Sequence, residues 1–313
     1  MALIPIPNVI RRTIRDIRWI KRQIPYIVHA NDINGYLDVP ALENRVNIFN
    51  YNPEKLGYNL YNKQPFNLGD TLGKVIVTFL LEQKGIDVNA YIPQKKHLLA
   101  VGSNIIGGEE FGRYNNATVW GSGVMLKPTR AMRLAQKLSC RKLDIRAVRG
   151  PLTHEVVIGL GHKCPKTYGD PAILMPLFFH PKIEKKRSYS IIPQFYHECK
   201  FREKYPDEFC VSMNTDDYQS VISEILASEI IYTSSLHGII LAEAYGIPAV
   251  FFRGLGKNID FKYLDYYYST GRTNIKIAES LEEAMHMEPL PVPDFSKMQQ
   301  GLLDTFPYDL WEP

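Results

Sequence analysis

Cysteine is scarce in this chain of 313 residues: Cys140, Cys164, Cys199 and Cys210 are scattered, with no Cys-x-x-Cys pair and no histidine-rich neighbour. That argues against a zinc site or a disulfide framework and fits reduced thiols in a cytoplasm. No apolar run reaches transmembrane length, and the N-terminus has no apolar core with a small-residue cleavage site. The net charge of +4 is too mild to argue for a nucleic-acid partner. Neither a P-loop nor a dinucleotide fingerprint of the GxGxxG type is present. What remains has the balance of a soluble globular protein, 45% hydrophobic and 22% charged, long enough for two domains with their own cores.

One stretch departs from the mild total. From Arg11 to Arg22 six basic residues stand against one acid, Asp16, while Ile10, Ile14, Ile17, Ile20 and Ile24 recur at helical spacing beside Trp19. Residues 1–40 therefore read as a basic amphipathic segment. Its residues 10–24 either lie on an anionic membrane surface or pack on the body with a solvated basic face. The expected location is the cytoplasm, and under the first alternative a peripheral place on the inner face of the plasma membrane.

Beyond that segment, strand-like runs alternate with helical patterns in two series. The first has strands at Arg45–Tyr51, His97–Val101, Thr118–Trp120 and Asp144–Val148. An amphipathic helix carrying Leu72, Val75, Ile76, Phe79 and Leu80 closes at Gly85. After a charged linker at 181–187, the second series has strands at Tyr189–Pro193, Glu208–Met213, Glu229–Thr233 and Ala249–Phe252. Its helices begin at His197, Asp217 and Ser234 or Ser235. The pattern predicts an α/β fold of two doubly wound Rossmann-like domains, 41–180 and 188–313, facing a cleft. The last helix, Phe295–Leu303, is placed to return to the first domain.

In such folds ligands bind where strand ends meet helix starts. Ser234-Ser235-Leu236-His237-Gly238 is one such junction. Either serine can cap the helix, whose free N–H groups and positive end favour a phosphate or a carboxylate. Leu236, Ile240 and Ala244 give that helix one apolar face. Asn67-Leu68-Gly69-Asp70 is a second junction: Gly69 permits close backbone approach, and Asp70 either caps the helix or accepts a hydrogen bond from a substrate hydroxyl. Loops containing Gly107-Gly108, Gly121-Ser122-Gly123 and Arg149-Gly150 follow three further strands and suit a ligand cleft.

Taken in order, Asn67-Leu68-Gly69-Asp70, Trp120-Gly121-Ser122-Gly123-Val124, Arg149-Gly150-Pro151-Leu152-Thr153, Gly169-Asp170-Pro171-Ala172 and Ser234-Ser235-Leu236-His237-Gly238 resemble the polysaccharide pyruvyl transferases. The ending, Phe261 to Asp265 and then Leu302 to Asp309, looks like the bacterial branch that makes pyruvate ketals on exopolysaccharide sugars. The resemblance runs from about Val46 to the C-terminus. It implies a fold similar to two-domain glycosyltransferases of the GT-B type, with the acceptor side in 41–180 and the donor side in 188–313. It implies phosphoenolpyruvate as donor, a sugar as acceptor, often on a polyprenyl diphosphate, and no cofactor or metal.

Under that resemblance His237 and Asp70 are the catalytic candidates, His237 as a proton donor and Asp70 as the base for an attacking hydroxyl. Asn67, Gly69, Gly107, Gly108 and Ser122 fall to the acceptor. Arg149, Ser234, Ser235, Gly238, Arg253 and Lys262 fall to the donor. Many relatives carry Arg-Leu-His-Gly where this chain has Ser235-Leu236-His237-Gly238, so the missing positive charge is expected from Arg149, Arg253 or Lys262. Two rival readings stay open. One is a GT-B glycosyltransferase using a nucleotide sugar; the other is a non-catalytic, membrane-associated assembly partner.

Overall fold

The computed structural model describes residues 8–28, 44–49, 67–106, 116–194, 197–254 and 260–312. The first series runs α1 (Asn8–Val28), β1 (Val46–Ile48), α2 (Leu68–Glu82), β2 (Lys96–Leu99), β3 (Ala117–Trp120), α3 (Arg130–Leu138), β4 (Leu143–Ala147) and α4 (Pro151–Gly159). A 3-10 turn at Pro171–Leu174 then leads into α5 (Met175–Phe178). The second series runs β5 (Arg187–Ile192), α6 (Glu198–Arg202), α7 (Tyr218–Leu226), β6 (Ser228–Thr233), α8 (Leu236–Ala244), β7 (Ala249–Phe251) and α9 (Asp260–Ser269). It ends with α10 (Leu281–Ala284) and α11 (Ser296–Asp304).

Both sheets are parallel. The first has the order β1-β2-β3-β4, with Val46 opposite Lys96, Leu98 opposite Thr118 and Ala117 opposite Leu143. In β2 and β3 neighbouring side chains alternate between two cores, as the two-residue period of a strand requires. Leu98 and Trp120 join the core that contains α2, while Leu99 and Val119 pack with Val157 of α4. In β4, Ile145 and Ala147 are two residues apart and still fall in different cores, because the pairing with β3 shifts register between Val119 and Trp120. Both faces are thus covered, which parallel strands need.

The second sheet has the order β5-β6-β7. The strand expected at Glu208–Met213 does not form. Asp207–Phe209 is a 3-10 turn, with Phe209 N bonded to Pro206 O at 3.1 Å and Cys210 N to Asp207 O at 3.0 Å. Those bonds take the amides a ladder would have used, and only Cys210 bridges to Ile191. Ile191 also pairs with Tyr232 of β6, so Cys210 lies on the far side of β5. A bridge from Phe252 to Ala278 extends the sheet beyond β7. The chain therefore steps outward from β5 and then returns on its other side to β6. Such a reversal opens a crevice at the C-terminal ends of the two strands it separates.

The two series meet in one continuous core. Leu68, Leu72 and Ile76 of α2 pack in the same cluster as Ile192, Leu236, Ile239 and Ala172. The single apolar face expected for α8 understates its burial, because every residue from Leu236 to Glu243 is buried. β6 and β7 cover one side, and the Pro171–Leu174 turn, α5 and α7 cover others. Burial of Glu243 is met by Arg272, at 2.6 and 2.7 Å, and by the Tyr266 hydroxyl at 2.5 Å. This buried ionic cluster fixes α9 against α8. The C-terminal segment packs on the first sheet: Trp120 Nε1 donates to Leu302 O at 2.9 Å, and Phe306 stands edge-on to Trp120.

Candidate functional site

The site is built where α2 and α8 start side by side. Asn67 is the N-cap residue of α2, but its side chain does not bond the helix backbone. Its Nδ2 instead donates to Asp70 Oδ2 at 2.7 Å, so Asp70, in the first turn, is not the cap that its residue type suggested. Asp70 is only 8% exposed and lies against the loop after β2. A Cβ added at Gly102 would come within 2.6 Å of Asp70 Oδ1, and Gly102 also has a φ of +105°. Both demands select glycine there. Burial raises the Asp70 carboxyl to about 6, against the opposing pull of His237 and Lys262, while Asp170 pushes in the same direction as burial.

His237 sits in the first turn of α8, and its ring lies directly on Gly69 of α2, where any side chain would collide with the imidazole. The two helix starts can approach this closely only because Gly69 has no Cβ. On its other edge, His237 Nε2 is 3.7 Å from Asp170 Oδ2. Both atoms are buried and neither has a hydrogen-bond partner. Asp170 itself is held in place, since its Oδ1 accepts the Ala172 N–H at 3.1 Å and caps the 3-10 turn.

Lys262 arrives from α9. The Tyr263 hydroxyl donates to Ser234 O at 2.6 Å, and the Lys262 ammonium lies 5.0 Å from the Tyr263 ring centre. Burial and, after it, the Arg149 charge lower Lys262 to about 8, against the opposing pull of Asp70. Lys262 is thus, with His237, in electrostatic reach of Asp70.

Arg149, expected on the donor, has a fully buried guanidinium whose three nitrogens each bond inside the protein. Nε meets Asp265 Oδ2 at 3.2 Å, Nη1 donates to Ser103 Oγ at 2.8 Å, and Nη2 donates to Val124 O at 2.7 Å. Asp265 also accepts from Thr153 N at 3.0 Å and Thr153 Oγ1 at 2.6 Å. This knot ties α9 to α4 and the β3 loop, and so holds Lys262 in place. Ser122 is fully buried too: its hydroxyl donates to Gly102 O at 3.0 Å and joins the two glycine loops.

The other sequence candidates divide. Ser235, not Ser234, caps α8 by accepting Gly238 N–H at 3.4 Å. Ser234 Oγ accepts Gln194 N–H at 2.8 Å and spans the crevice between β5 and β6. Arg253 is half-buried and already paired, with Asp260 at 2.7 Å and with Glu279. Gly107 and Gly108 lie outside the described residues.

Three residues of the site had no assigned role in the sequence. Asp170 was visible only as part of a Gly-Asp-Pro motif. Asp265 lies three positions after Lys262, a helical spacing hidden in an aromatic run. His197 lies against Gly254, where an added Cβ would come within 2.9 Å of its Nδ1 and 3.4 Å of Ser234 Cβ. That Nδ1 is buried without a hydrogen-bond partner.

An anionic substrate with a reacting hydroxyl would find here a near-neutral carboxyl, an imidazole, an ammonium and two helix starts. An uncharacterized protein of Acanthamoeba polyphaga mimivirus is 26% identical over 221 residues, covering 67% of this chain and 72% of that one. An uncharacterized protein of Klebsiella pneumoniae, known from its crystal structure, superposes with a TM-score of 0.48 at 13% identity. That superposition covers 82% of this chain and 98% of the other. The family described as polysaccharide pyruvyl transferase matches residues 17–254, which include Asp70, Asp170 and His237. The chain belongs to the polysaccharide pyruvyl transferase family.

Proposed function

We propose that this protein transfers pyruvate from phosphoenolpyruvate to a sugar of a lipid-linked polysaccharide repeat unit, forming a cyclic ketal and releasing phosphate. The observation that carries the reading is the convergence of Asp70, His237 and Lys262 at the paired starts of α2 and α8. A first sugar hydroxyl adds to the central carbon of the donor as its proton passes to Asp70. His237 delivers a proton to the methylene carbon, which becomes a methyl group. A second hydroxyl of the same sugar then takes the place of phosphate at that carbon, its own proton leaving with the phosphate, and the ketal closes. No oxidant, cofactor or metal is needed for the balance.

The donor brings a phosphate and a carboxylate, and Lys262 with the first-turn amides of α8 is the anion-binding set of this reading. Ser235 contributes the cap of that helix rather than a charge. Arg149 adds positive potential from behind Lys262. Asn67 and Gly69, beside Asp70, are left to the acceptor, and Ser122 orders the loops under it. Arg253 would reach the donor only by releasing Asp260. In this reading residues 41–180 supply the acceptor side and 188–313 the donor side, with a cytoplasmic enzyme meeting its acceptor at the inner face of the membrane.

The test is to incubate the protein with phosphoenolpyruvate and a polyprenyl diphosphate-linked saccharide. Phosphate release matched by a pyruvyl mass gain on the saccharide is expected, and loss of both in His237→Ala. Turnover with a nucleotide sugar and none with phosphoenolpyruvate would sink the reading in favour of a glycosyltransferase.

A further inference from the structure

The mild net charge of the chain hides a strong polarity. Residues 8–28 hold six Lys or Arg and one acid, and residues 124–143 hold six Lys or Arg and no acid. Outside these two stretches the chain has 25 basic and 32 acidic residues, a net charge of −7. The two basic stretches touch. Trp19 and Ile27 of α1 pack on Ala135 of α3, and Gln23, midway between them, is buried.

That contact does not use the main apolar stripe of α1. Ile10, Ile14, Ile17 and Ile24, spaced by four, three and seven residues, lie on a different side of the helix from Trp19, Gln23 and Ile27. They and Val9 are between 37% and 74% exposed. The partner stretch repeats the pattern: Met125, Leu126, Leu134 and Leu138 are between 39% and 56% exposed, set among exposed Lys127, Arg130, Arg133 and Lys137. An apolar surface of this extent, rimmed by one sign of charge, marks an interaction site. The surface begins next to the site. Val124 O accepts from Arg149, and Met125 is the following residue.

We propose that α1, α3 and the Met125–Lys127 loop form one face that docks on an anionic lipid bilayer, with the aliphatic side chains in the acyl region and the basic ones on lipid phosphates. Nucleic acid would use the arginines but leave the isoleucines and leucines in water. A symmetric second copy would set two strongly basic faces against each other. An anionic bilayer satisfies both components at once. Among the described residues no helix is long and apolar enough to cross a membrane. The inference rests on the lipid-linked acceptor for its purpose, since docking at this face would bring the cleft to the headgroup plane.

The full chain is tested by flotation with phosphatidylcholine vesicles with and without phosphatidylglycerol, at about 0.1 M and 0.5 M NaCl. Binding is expected only with phosphatidylglycerol and weaker at the higher salt. Ile14→Gln/Ile17→Gln and Leu134→Gln/Leu138→Gln, all at exposed positions, are each expected to weaken it about tenfold with an unchanged melting temperature. Equal binding to both vesicle types, no binding, or parental binding by the Leu134/Leu138 variant would overturn the proposal. So would self-association through this face, seen in sedimentation and abolished by the same variants. Vesicle binding is read without either substrate, so its failure leaves pyruvyl transfer standing, and failure of pyruvyl transfer leaves docking standing.

Discussion

His237 Nε2 and Asp170 Oδ2 face each other across 3.7 Å, and neither atom has a hydrogen-bond partner. An unpartnered buried carboxylate oxygen is costly, and it is kept at functional sites more readily than elsewhere. Asp170→Asn retains the cap on the Ala172 N–H and removes only the negative charge beside His237. The expected result is a fall in kcat of about 10- to 100-fold with little change in donor KM. His237→Ala is expected to cost about 10²- to 10⁴-fold in kcat. Steady-state kinetics at fixed pH decide the matter, and wild-type kcat in Asp170→Asn would remove Asp170 from the reaction.

Asp70 links activity to stability. Its carboxyl is raised from an ordinary 3.8 to about 6 by burial. Such a group favours the folded state fully below about pH 3.8 and loses that contribution as pH rises through about 6. At pH 7.5 the buried carboxylate therefore costs stability, on the order of 2–3 kcal/mol. Asp70→Asn is expected to melt higher than wild type at pH 7.5, to lose that advantage near pH 4, and to be nearly inactive. Thermal melts at the two pH values test this; an Asp70→Asn variant less stable at pH 7.5 would contradict it.

Lys262 sets the alkaline side. Burial lowers its ammonium from 10.5 to about 8, so its charge is complete at pH 6.5 and lost as pH climbs through about 8. Donor KM is expected to rise above pH 8 in the wild type. In Lys262→Gln it should be at least about tenfold higher and flat with pH, while Lys262→Arg should hold low KM to higher pH. Initial rates from pH 6 to 9.5 at several phosphoenolpyruvate concentrations measure this, and an unchanged KM in Lys262→Gln would return the donor charge to Arg253.

Arg149 and Asp265 form a fully buried pair. Removing one partner strands the other charge, a loss of about 3–5 kcal/mol. Arg149→Ala is accordingly expected to lower the midpoint of urea unfolding sharply, with activity falling in step with the folded fraction. A variant that unfolds like the wild type and yet loses donor binding would restore Arg149 as a direct ligand.

Much of the fold was legible because it depends on local periodicity. The strands β2 to β7 and the helices α2 and α7 follow from apolar spacing, and the start of α8 from a capping serine beside an apolar run. The failed strand at Glu208–Met213 shows the limit of that reasoning: Pro206 and Asp207 close a turn whose bonds compete with the ladder, and apolar content does not report the competition. Asp70 illustrates the same limit at the site. Its residue type and position suggested a helix cap, but Asn67 occupies the cap position and donates its side-chain amide to the carboxylate.

The two α/β series, the family motifs and the placement of His237 and Asp70 at helix starts can be read from the chain, because each rests on neighbours within a few residues. The remainder came with the packing of distant elements. That packing brought Asp170 to His237 from 67 residues away in the chain, seated the imidazole on Gly69, and put Lys262 rather than Arg149 in reach of the carboxyl. It also laid the second basic stretch beside the first. Contacts of that kind depend on which faces two distant elements bury together, and helical or strand periodicity encodes only that a face is apolar, not what covers it.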